Sequence, residues 1–120
     1  MSRTATGLAV VAGVLFALLA AGRDLAAATS EEQVARGDVI TRQGEPSFDV
    51  FFIIAGTFDV SISHAGHAPD FIRTLSAGDS FGELGVLYDV PRTATVRCTT
   101  AGHVLRIPGQ TFLDALDTGA

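Results

Sequence analysis

The sequence contains no lysine and no tryptophan, and it has only one cysteine, one methionine and one tyrosine. Eight arginines face thirteen acidic residues, which gives a formal net charge of −5. This balance argues against a nucleic-acid-binding surface, which needs a basic stripe, and an anionic ligand must therefore be captured by local geometry. The lone Cys98 excludes an internal disulfide, and within the strand-like run VRCTT it is expected to be a small buried residue.

The length and hydrophobic content predict one small domain with a single core. The chain has 120 residues, of which 48% are hydrophobic, and eight phenylalanines supply nearly all of its aromatic side chains. A domain of this size removes about two-thirds of its unfolded surface from water. The core is therefore expected to be aliphatic, with phenylalanine side chains filling the remaining space.

The middle of the chain consists of short β-type runs separated by glycine-containing turns. Turn signals at a spacing of about 8–12 residues, without a βαβ pattern, indicate a β-sandwich or jelly roll. The predicted strands are Val39-Ile40, Val50–Ile54, Phe58–Ile62, Phe71–Leu75, Val96–Thr99 and Val104–Ile107. The predicted turns are Ala35–Asp38, Arg42–Pro46, Ala55–Thr57, His64–His67, Ser76–Ser80 and Ala101-Gly102. The glycines expected to take positive φ are Gly37, Gly44, Gly56 and Gly78.

The strand within Pro46–Gly56 can begin at Val50 or at Phe51, which gives two compatible registers. Because side chains alternate between the faces of a strand, this one-residue choice decides whether Phe51 or Phe52 points into the core. The sequence leaves the choice open, with Phe48 available to fill the space through a bulge.

The N-terminal region admits more than one interpretation. Residues Gly7–Gly22 are uninterruptedly apolar, so a secretory signal or a membrane anchor is one hypothesis. A membrane-spanning helix needs about 20 apolar residues, and this run is short by that measure. The following segment, Ala26–Gln33, is helix-like, with Ser30 as a candidate N-cap and Glu31 in the first turn.

One stretch, Phe81–Val96 with the sequence FGELGVLYDVPRTATV, has the composition of an anion cradle. A bound phosphate needs backbone N–H groups that approach closely, which favours Gly82 and Ala94, and a planar cation that grips two oxygens, which favours Arg92. Glu83 would repel a phosphate unless it accepts hydrogen bonds from another part of the same ligand, such as a sugar hydroxyl. The stretch therefore predicts a site for a ribose phosphate.

This stretch resembles the phosphate-binding cassette of cyclic nucleotide-binding domains, which occur in cyclic-AMP- and cyclic-GMP-dependent protein kinases, in nucleotide-gated channels and in bacterial regulators of the catabolite-activator type. The family pattern, F-G-E-[LI]-[AG]-L-[LI] and then P-R-[AT]-A-[TS]-V, is matched by Phe81, Gly82, Glu83, Leu84, Gly85, Leu87, Pro91, Arg92, Thr93, Ala94, Thr95 and Val96. The resemblance implies that Arg92 holds the cyclic phosphate and that Glu83 holds the ribose 2′-hydroxyl. The other ligand contacts that it implies come from Phe81, the amides of Gly82, Leu84 and Ala94, and the Thr93 hydroxyl.

The resemblance also implies a mainly β fold with flanking helices, a double-stranded β-helix or jelly roll of the cyclic nucleotide-binding type. The expected segments are an apolar leader at 1–14, an N-terminal helical element at 15–33, the β-roll at 34–108 and the start of a C-terminal helix at 109–120. In the last segment, Phe112, Leu113 and Leu116 have helical spacing.

The expected ligand is cyclic AMP or cyclic GMP, and cyclic AMP is favoured because the whole stretch resembles bacterial domains. Thr93 bears on this choice, since in the kinase branches of the family a hydroxyl at this position is associated with cyclic GMP. The helix that covers the base in the family would follow Ala120, so binding by this chain is expected to be micromolar or weaker. No cofactor is expected.

Two other functions stay open. The stretch Phe81–Val96 is also compatible with a glycine-rich β-turn followed by a surface Arg92. In a second alternative, the β-roll keeps the cassette as structure and acts only as an interaction module. His64 and His67 in a hairpin turn, with His103 in a later strand, suggest a metal-dependent cupin-type enzyme if further ligands converge on them, although a solvated hairpin tip is favoured. No catalytic grouping is evident, so the chain is expected not to be an enzyme.

The expected partners are a cyclic nucleotide and an effector domain or protein, in cis or in trans. No nucleic acid is expected to bind. The expected location is cytoplasmic, and attachment to a membrane protein through residues 1–22 is the alternative.

Overall fold

The computed structural model describes residues 28–118, which form a β-sheet with helices between and after its strands. The strands are β1 (Ser30–Val34), β2 (Val39–Thr41), β3 (Asp49–Ile62), β4 (Asp70–Leu75), β5 (Ser80–Phe81) and β6 (Thr95–Pro108). Helix α1 (Glu83–Tyr88) follows β5, and helix α2 (Gly109–Thr118) follows β6.

The centre of the sheet is the antiparallel pair of β3 and β6, each 14 residues long. The strand order is β1-β6-β3-β4, with β2 paired to β6 and β5 paired to β3. Every pairing is antiparallel, as expected for strands joined by turns rather than by crossover helices. This architecture confirms the predicted mainly β fold of the β-roll type.

The core divides into two clusters on either side of Val50–Ile53. The larger one fills the roll and consists of Phe51, Ile53, Phe58, Val60, Leu75, Phe81, Val96, Cys98 and Val104. The smaller one joins the sheet to both helices and consists of Val50, Val86, Ile107 and Phe112, with Phe52, Leu113 and Leu116 packed against it. The buried Cys98 and the helix that begins at Gly109 confirm two sequence predictions.

The open register within β3 is decided by the core. Phe51 is 1% exposed and stacks on Phe81, with 5.0 Å between the ring centroids, whereas Phe52 is only partly buried. Phe48 is 72% exposed, so it does not fill the core through a bulge. The roll therefore contains Phe51, and its ring lies next to the site described below.

Part of the predicted N-terminal helical element at 15–33 is wrong. Ala28 is helical, but Ser30–Val34 is strand β1, so Ser30 is not an N-cap and Glu31 is not in a first helical turn. The pairing of Ser30 with Arg106 and of Val34 with Gly102 overrides the weak local helix propensity of this short segment. The remaining predictions for the N-terminus, at 1–14, 1–22 and 15–27, lie outside the described residues.

Two predicted turns, Ala55–Thr57 and Ala101-Gly102, are irregular positions within the continuous strands β3 and β6. A Cβ atom on Gly56 would lie 2.7 Å from the Gly102 Cα, so two glycines let the strands cross closely here without breaking. Positive φ is confirmed for all four glycines for which it was predicted: Gly37, Gly44, Gly56 and Gly78. Within residues 28–118, no helix is both long enough and apolar enough to cross a membrane.

Candidate functional site

All the predicted ligand-binding residues line one cleft with a volume of about 100 Å³. They are Phe81, Gly82, Glu83, Leu84, Arg92, Thr93 and Ala94. The cassette that contains them leaves the sheet at the end of β5, forms helix α1, and returns to the sheet at the start of β6. The cleft therefore lies between the two ends of one local excursion of the chain, with β4 opposite.

Arg92 is a buried cation held by backbone carbonyl groups. Its Nη1 donates to the Gly82 carbonyl oxygen at 3.0 Å, and its Nη2 donates to the Asp49 carbonyl oxygen at 2.8 Å. The residue is 9% exposed, and within the described part of the chain it forms no ion pair. Burial lowers the pKa of Arg92, and the neighbouring Asp49 opposes this effect. A positive charge without a carboxylate partner thus lies at the cleft.

The backbone of Arg92 is fixed by the loop that precedes β3. The Arg92 amide donates to the Glu45 carbonyl oxygen at 2.8 Å, and the Gly44 amide donates to the Arg92 carbonyl oxygen at 2.8 Å. These bonds span almost fifty residues of sequence, so the position of the guanidinium does not depend on the cassette alone. Such preorganisation lowers the entropy that is lost when a ligand is gripped.

Gly82 joins β5 to α1 with φ 90° and ψ −7°, a conformation that favours glycine. The absence of a side chain matters as much as the dihedral angle. A Cβ atom there would lie 2.5 Å from the Arg92 Nη1 and 2.9 Å from the Asp49 carbonyl oxygen. Gly82 therefore makes room for the arginine that the same stretch supplies.

Glu83 is a buried carboxyl group with an unsatisfied oxygen. The residue is 8% exposed, and its Oε2 has no hydrogen-bond partner among the described residues; the buried Ser80 Oγ also lacks one. Burial raises the pKa of Glu83, while its own backbone amide, the nearby Ser80 hydroxyl and the charges of Arg73 and Arg92 act in the opposite direction. A buried polar atom without a partner is costly, and a ligand hydroxyl in the cleft would relieve that cost.

The remaining polar side chains at the cleft, Thr41 and Arg73, were not singled out in the sequence. Thr41 ends β2 and is buried, and Arg73 lies on β4, opposite the cassette. Arg73 pairs in register with the buried Val60, which places it on the face of β4 that points toward the cleft. An arginine in a short β-type run is a weak sequence signal, because most such arginines lie on a solvated face.

The three histidines do not form a metal site. His64 lies 3.4 Å from Asp70, and His103 lies 3.7 Å from Glu31, both measured between the histidine Nε2 and a carboxylate oxygen. Among the residues that the structure describes, no group of three or more histidine, cysteine, aspartate or glutamate side chains is arranged to hold a metal ion.

The cleft offers a guanidinium group, a carboxyl group and closely approaching backbone, a set suited to binding an anionic, hydroxylated ligand.

The chain is similar in sequence to a known protein family and to several of its members. The family model described as "Cyclic nucleotide-binding domain" matches residues 31–118. A cAMP-dependent protein kinase regulatory subunit from Blastocladiella emersonii is 37% identical over 90 residues, which cover 74% of this chain and 22% of that protein. A cGMP-dependent protein kinase from Toxoplasma gondii is 34% identical over 82 residues, which cover 68% of this chain and 8% of that protein. The chain thus spans less than a quarter of either relative.

Among solved structures, the mutant regulatory subunit of a cAMP-independent protein kinase A from Trypanosoma brucei, bound to cAMP in its A site, is similar in fold. It aligns with a TM-score of 0.76 at 24% identity and covers 98% of this chain and 44% of that chain. The match of the family model to most of the chain shows that this protein belongs to the cyclic nucleotide-binding domain family.

Proposed function

We propose that this chain is a regulatory sensor domain that binds a cyclic nucleotide in the cleft of Arg92 and Glu83. Arg92 binds the cyclic phosphate, and Glu83 accepts the ribose 2′-hydroxyl. The close backbone at Gly82, Leu84 and Ala94 surrounds the phosphate. Occupancy is relayed to an effector domain or protein, in cis or in trans, and the domain itself performs no catalysis.

One observation carries this proposal: among residues 28–118, a buried arginine without a carboxylate partner and a buried carboxyl with an unsatisfied oxygen line the same cleft. Burying either charge without compensation is unfavourable, so the pair is best explained by a ligand that carries both an anion and a hydroxyl group. A phosphate ester of ribose has these two groups side by side. A β-roll that acts only as an interaction module would have no need of them.

Cyclic AMP is the proposed nucleotide, on the resemblance of the whole cassette and on the cAMP-dependent kinase subunit among the relatives. Arg73 supports cyclic GMP as a second candidate. The acceptor pair O6 and N7 of guanine matches an arginine fork, whereas adenine presents an N6 amino donor beside N7, and arginine has no acceptor for it. Thr93, which also lines the cleft, supplies a hydroxyl that can accept from the guanine amino group.

We propose a cytoplasmic location, as for a domain that senses an intracellular nucleotide. Attachment to a membrane protein through residues 1–22 is the alternative, and it is tested by the partition of the full chain between membrane and supernatant fractions. Nucleotide binding by the domain does not depend on which of these holds.

The test is calorimetric titration of the chain with cyclic AMP, cyclic GMP, 5′-AMP and adenosine. We expect saturable binding of a cyclic nucleotide and much weaker binding of 5′-AMP and adenosine, because only the cyclic phosphate presents the compact anion beside a free 2′-hydroxyl. Absence of binding by both cyclic nucleotides at millimolar concentration overturns the proposal and leaves the interaction module as the function. The cyclic nucleotide that binds with the higher affinity identifies the preferred base.

A further inference from the structure

Arg106 lies where three strands meet. It is on β6, with Phe51 of β3 opposite it on one side and Ser30 of β1 opposite it on the other. Its Nε and Nη2 donate to the Glu32 carboxylate on β1, and its Nη1 donates to the Asp49 carboxylate at 2.7 Å. One guanidinium group therefore ties the edge strand β1 to the first residue of β3.

Asp49 connects this ion-pair network to the candidate site. Its carboxylate accepts from Arg106, and its backbone carbonyl oxygen accepts from the Arg92 Nη2 at 2.8 Å. The second acceptor is the Gly82 carbonyl oxygen, so Asp49 supplies one of the two hydrogen bonds that the Arg92 guanidinium makes to the described residues. A shift of Asp49 must move the guanidinium or break that bond.

The two arginines also share a ring and a cavity. The Arg106 and Arg92 Cζ atoms lie 4.8 Å and 5.9 Å from the centroid of the Phe51 ring. Both residues, with Asp49, line a second cavity of about 200 Å³. Because space remains on that side of Arg92, hydrogen bonds rather than close packing must hold it in place.

The charges of Arg92 and Arg106 also connect the two residues. Two guanidinium groups on one ring repel each other, and Arg106 accordingly acts to lower the pKa of Arg92. The carboxylates of Glu32 and Asp49 pair with Arg106, whereas Arg92 has no carboxylate partner among the described residues, so the Arg92 charge is available to an anionic ligand. Loss of Glu32 would leave Arg106 with one carboxylate and would loosen β1 at the same time.

From these contacts we infer that Arg106 is a positioning residue for Arg92. The bond between Arg106 and Glu32 then links ligand binding at Arg92 to the docking of β1 on the sheet. This inference rests on the proposed function of Arg92. A ligand that fixes Arg92 favours one position of Asp49, and that position favours the bridge to β1. By linkage, docking of β1 strengthens ligand binding by the same factor.

The main test compares Arg106→Gln with Arg97→Gln. Arg97 is a matched control, since it lies on the same strand, carries the same charge and is exposed, and its side chain donates to the Gly37 carbonyl oxygen at 3.4 Å. We expect Arg106→Gln to weaken binding of the preferred cyclic nucleotide by about tenfold and Arg97→Gln by less than about twofold. Equal affinities for the two variants overturn the inference.

A double-mutant cycle separates positioning from general destabilisation. If Arg106 acts through Arg92, then Arg106→Gln should cost little further affinity in an Arg92→Gln background. If Arg106 had a purely structural role, Arg106→Gln would reduce affinity by the same factor in both backgrounds. Should Arg106→Gln fail to fold, Arg106→Lys keeps the charge but cannot hold both carboxylates in a fork, and we expect it to weaken binding by an intermediate factor.

A ligand-free measurement keeps this inference distinct from the proposed function. The ¹⁵N NMR signal of the Arg92 Nε–H should broaden or shift in Arg106→Gln and Glu32→Gln, and remain parent-like in Arg97→Gln. Amide hydrogen exchange in Ser30–Val34 should slow when cyclic nucleotide is added to the parent, and less so to Glu32→Gln. A parent that binds no cyclic nucleotide overturns the proposed function. A parent that binds, with unchanged Arg92 signals in Arg106→Gln, overturns only the positioning role.

Discussion

The two walls of the cleft hold their polar groups in different ways. On the cassette wall, Phe81–Ala94, the residues Glu83 and Arg92 are buried, and Arg92 is fixed by two backbone carbonyl groups. On the β4 wall, Asp70–Leu75, only Leu75 is buried, and Arg73 is exposed. A buried group keeps one position and acts in a low dielectric, whereas an exposed group is screened by water. The cassette wall should therefore supply affinity, and the β4 wall should only modulate it.

The position of each wall in the sheet explains the difference. The cassette runs between β5, which pairs with the central strand β3, and β6, which is itself central. Among the described strands, β4 pairs with β3 alone and forms an edge of the sheet. Edge strands have fewer neighbours to fix them, so β4 is the wall that can adapt to different bases.

The largest effect is expected from the arginine of the cassette wall. Losing a charge-assisted contact to phosphate costs about 2–4 kcal/mol, so Arg92→Ala should weaken cyclic nucleotide binding by at least about thirtyfold. Calorimetric titration measures this loss, with Arg97→Ala as the control for removal of an exposed arginine. Parent-like affinity in a folded Arg92→Ala variant would show that the cassette wall does not bind the phosphate.

The next effect comes from the space beside Arg92. Gly82→Ala introduces a Cβ atom 2.5 Å from the Arg92 Nη1 at a residue with φ 90°, whereas Gly78→Ala has a φ of 94° and no atom within 4 Å of the new Cβ. Both variants should lose about 1–3 kcal/mol of unfolding free energy in thermal denaturation. Only Gly82→Ala should also lose about tenfold in affinity. Equal affinities for the two variants would mean that the guanidinium tolerates displacement.

Glu83 should have a smaller effect, and one that depends on the sugar. Replacing the carboxylate with an amide weakens the bond to the ribose 2′-hydroxyl, so Glu83→Gln should reduce affinity for the cyclic nucleotide by about fivefold. The corresponding 2′-deoxy nucleotide should bind parent and variant alike. An equal loss for both ligands would assign Glu83 a structural role rather than a contact with the ribose.

The same residue predicts a dependence of stability on pH. Because burial raises the pKa of Glu83 above its ordinary value of 4.5, the folded state holds this proton more tightly than the unfolded state. The stability of the ligand-free parent should therefore fall, relative to that of Glu83→Gln, as the pH rises above 4.5 and until Glu83 is fully ionised. Urea denaturation of both proteins between pH 4 and 8 measures the difference. A difference that does not change with pH would place Glu83 in a solvated environment.

The smallest effect is expected on the β4 wall. An exposed charged contact contributes at most about 1 kcal/mol, so Arg73→Ala should weaken cyclic GMP binding by about threefold and leave cyclic AMP within about twofold. Thr93→Ala, across the cleft, should likewise reduce cyclic GMP affinity more than cyclic AMP affinity. A loss as large as that of Arg92→Ala would remove the distinction between the two walls.

The cassette could be predicted from sequence because its chemistry is local. Gly82, Glu83 and Arg92 lie within eleven consecutive positions, and the excursion between two strands brings them to one cleft. The positive φ of Gly37 and Gly78 was also predictable, since short turns set it by themselves. The roles of these residues toward a nucleotide stay predictions until the titrations are done.

The sequence by itself determined the β-roll class, the positive φ of the four predicted glycines and the local cassette. Only the tertiary structure decided that Ser30–Val34 is a strand, that Phe51 rather than Phe52 fills the core, and that Arg73 and Arg106 lie near Arg92. Each of these depends on pairing between strands far apart in the chain. Such pairing is set by the summed burial and hydrogen bonding of whole strands, which no short window of sequence contains.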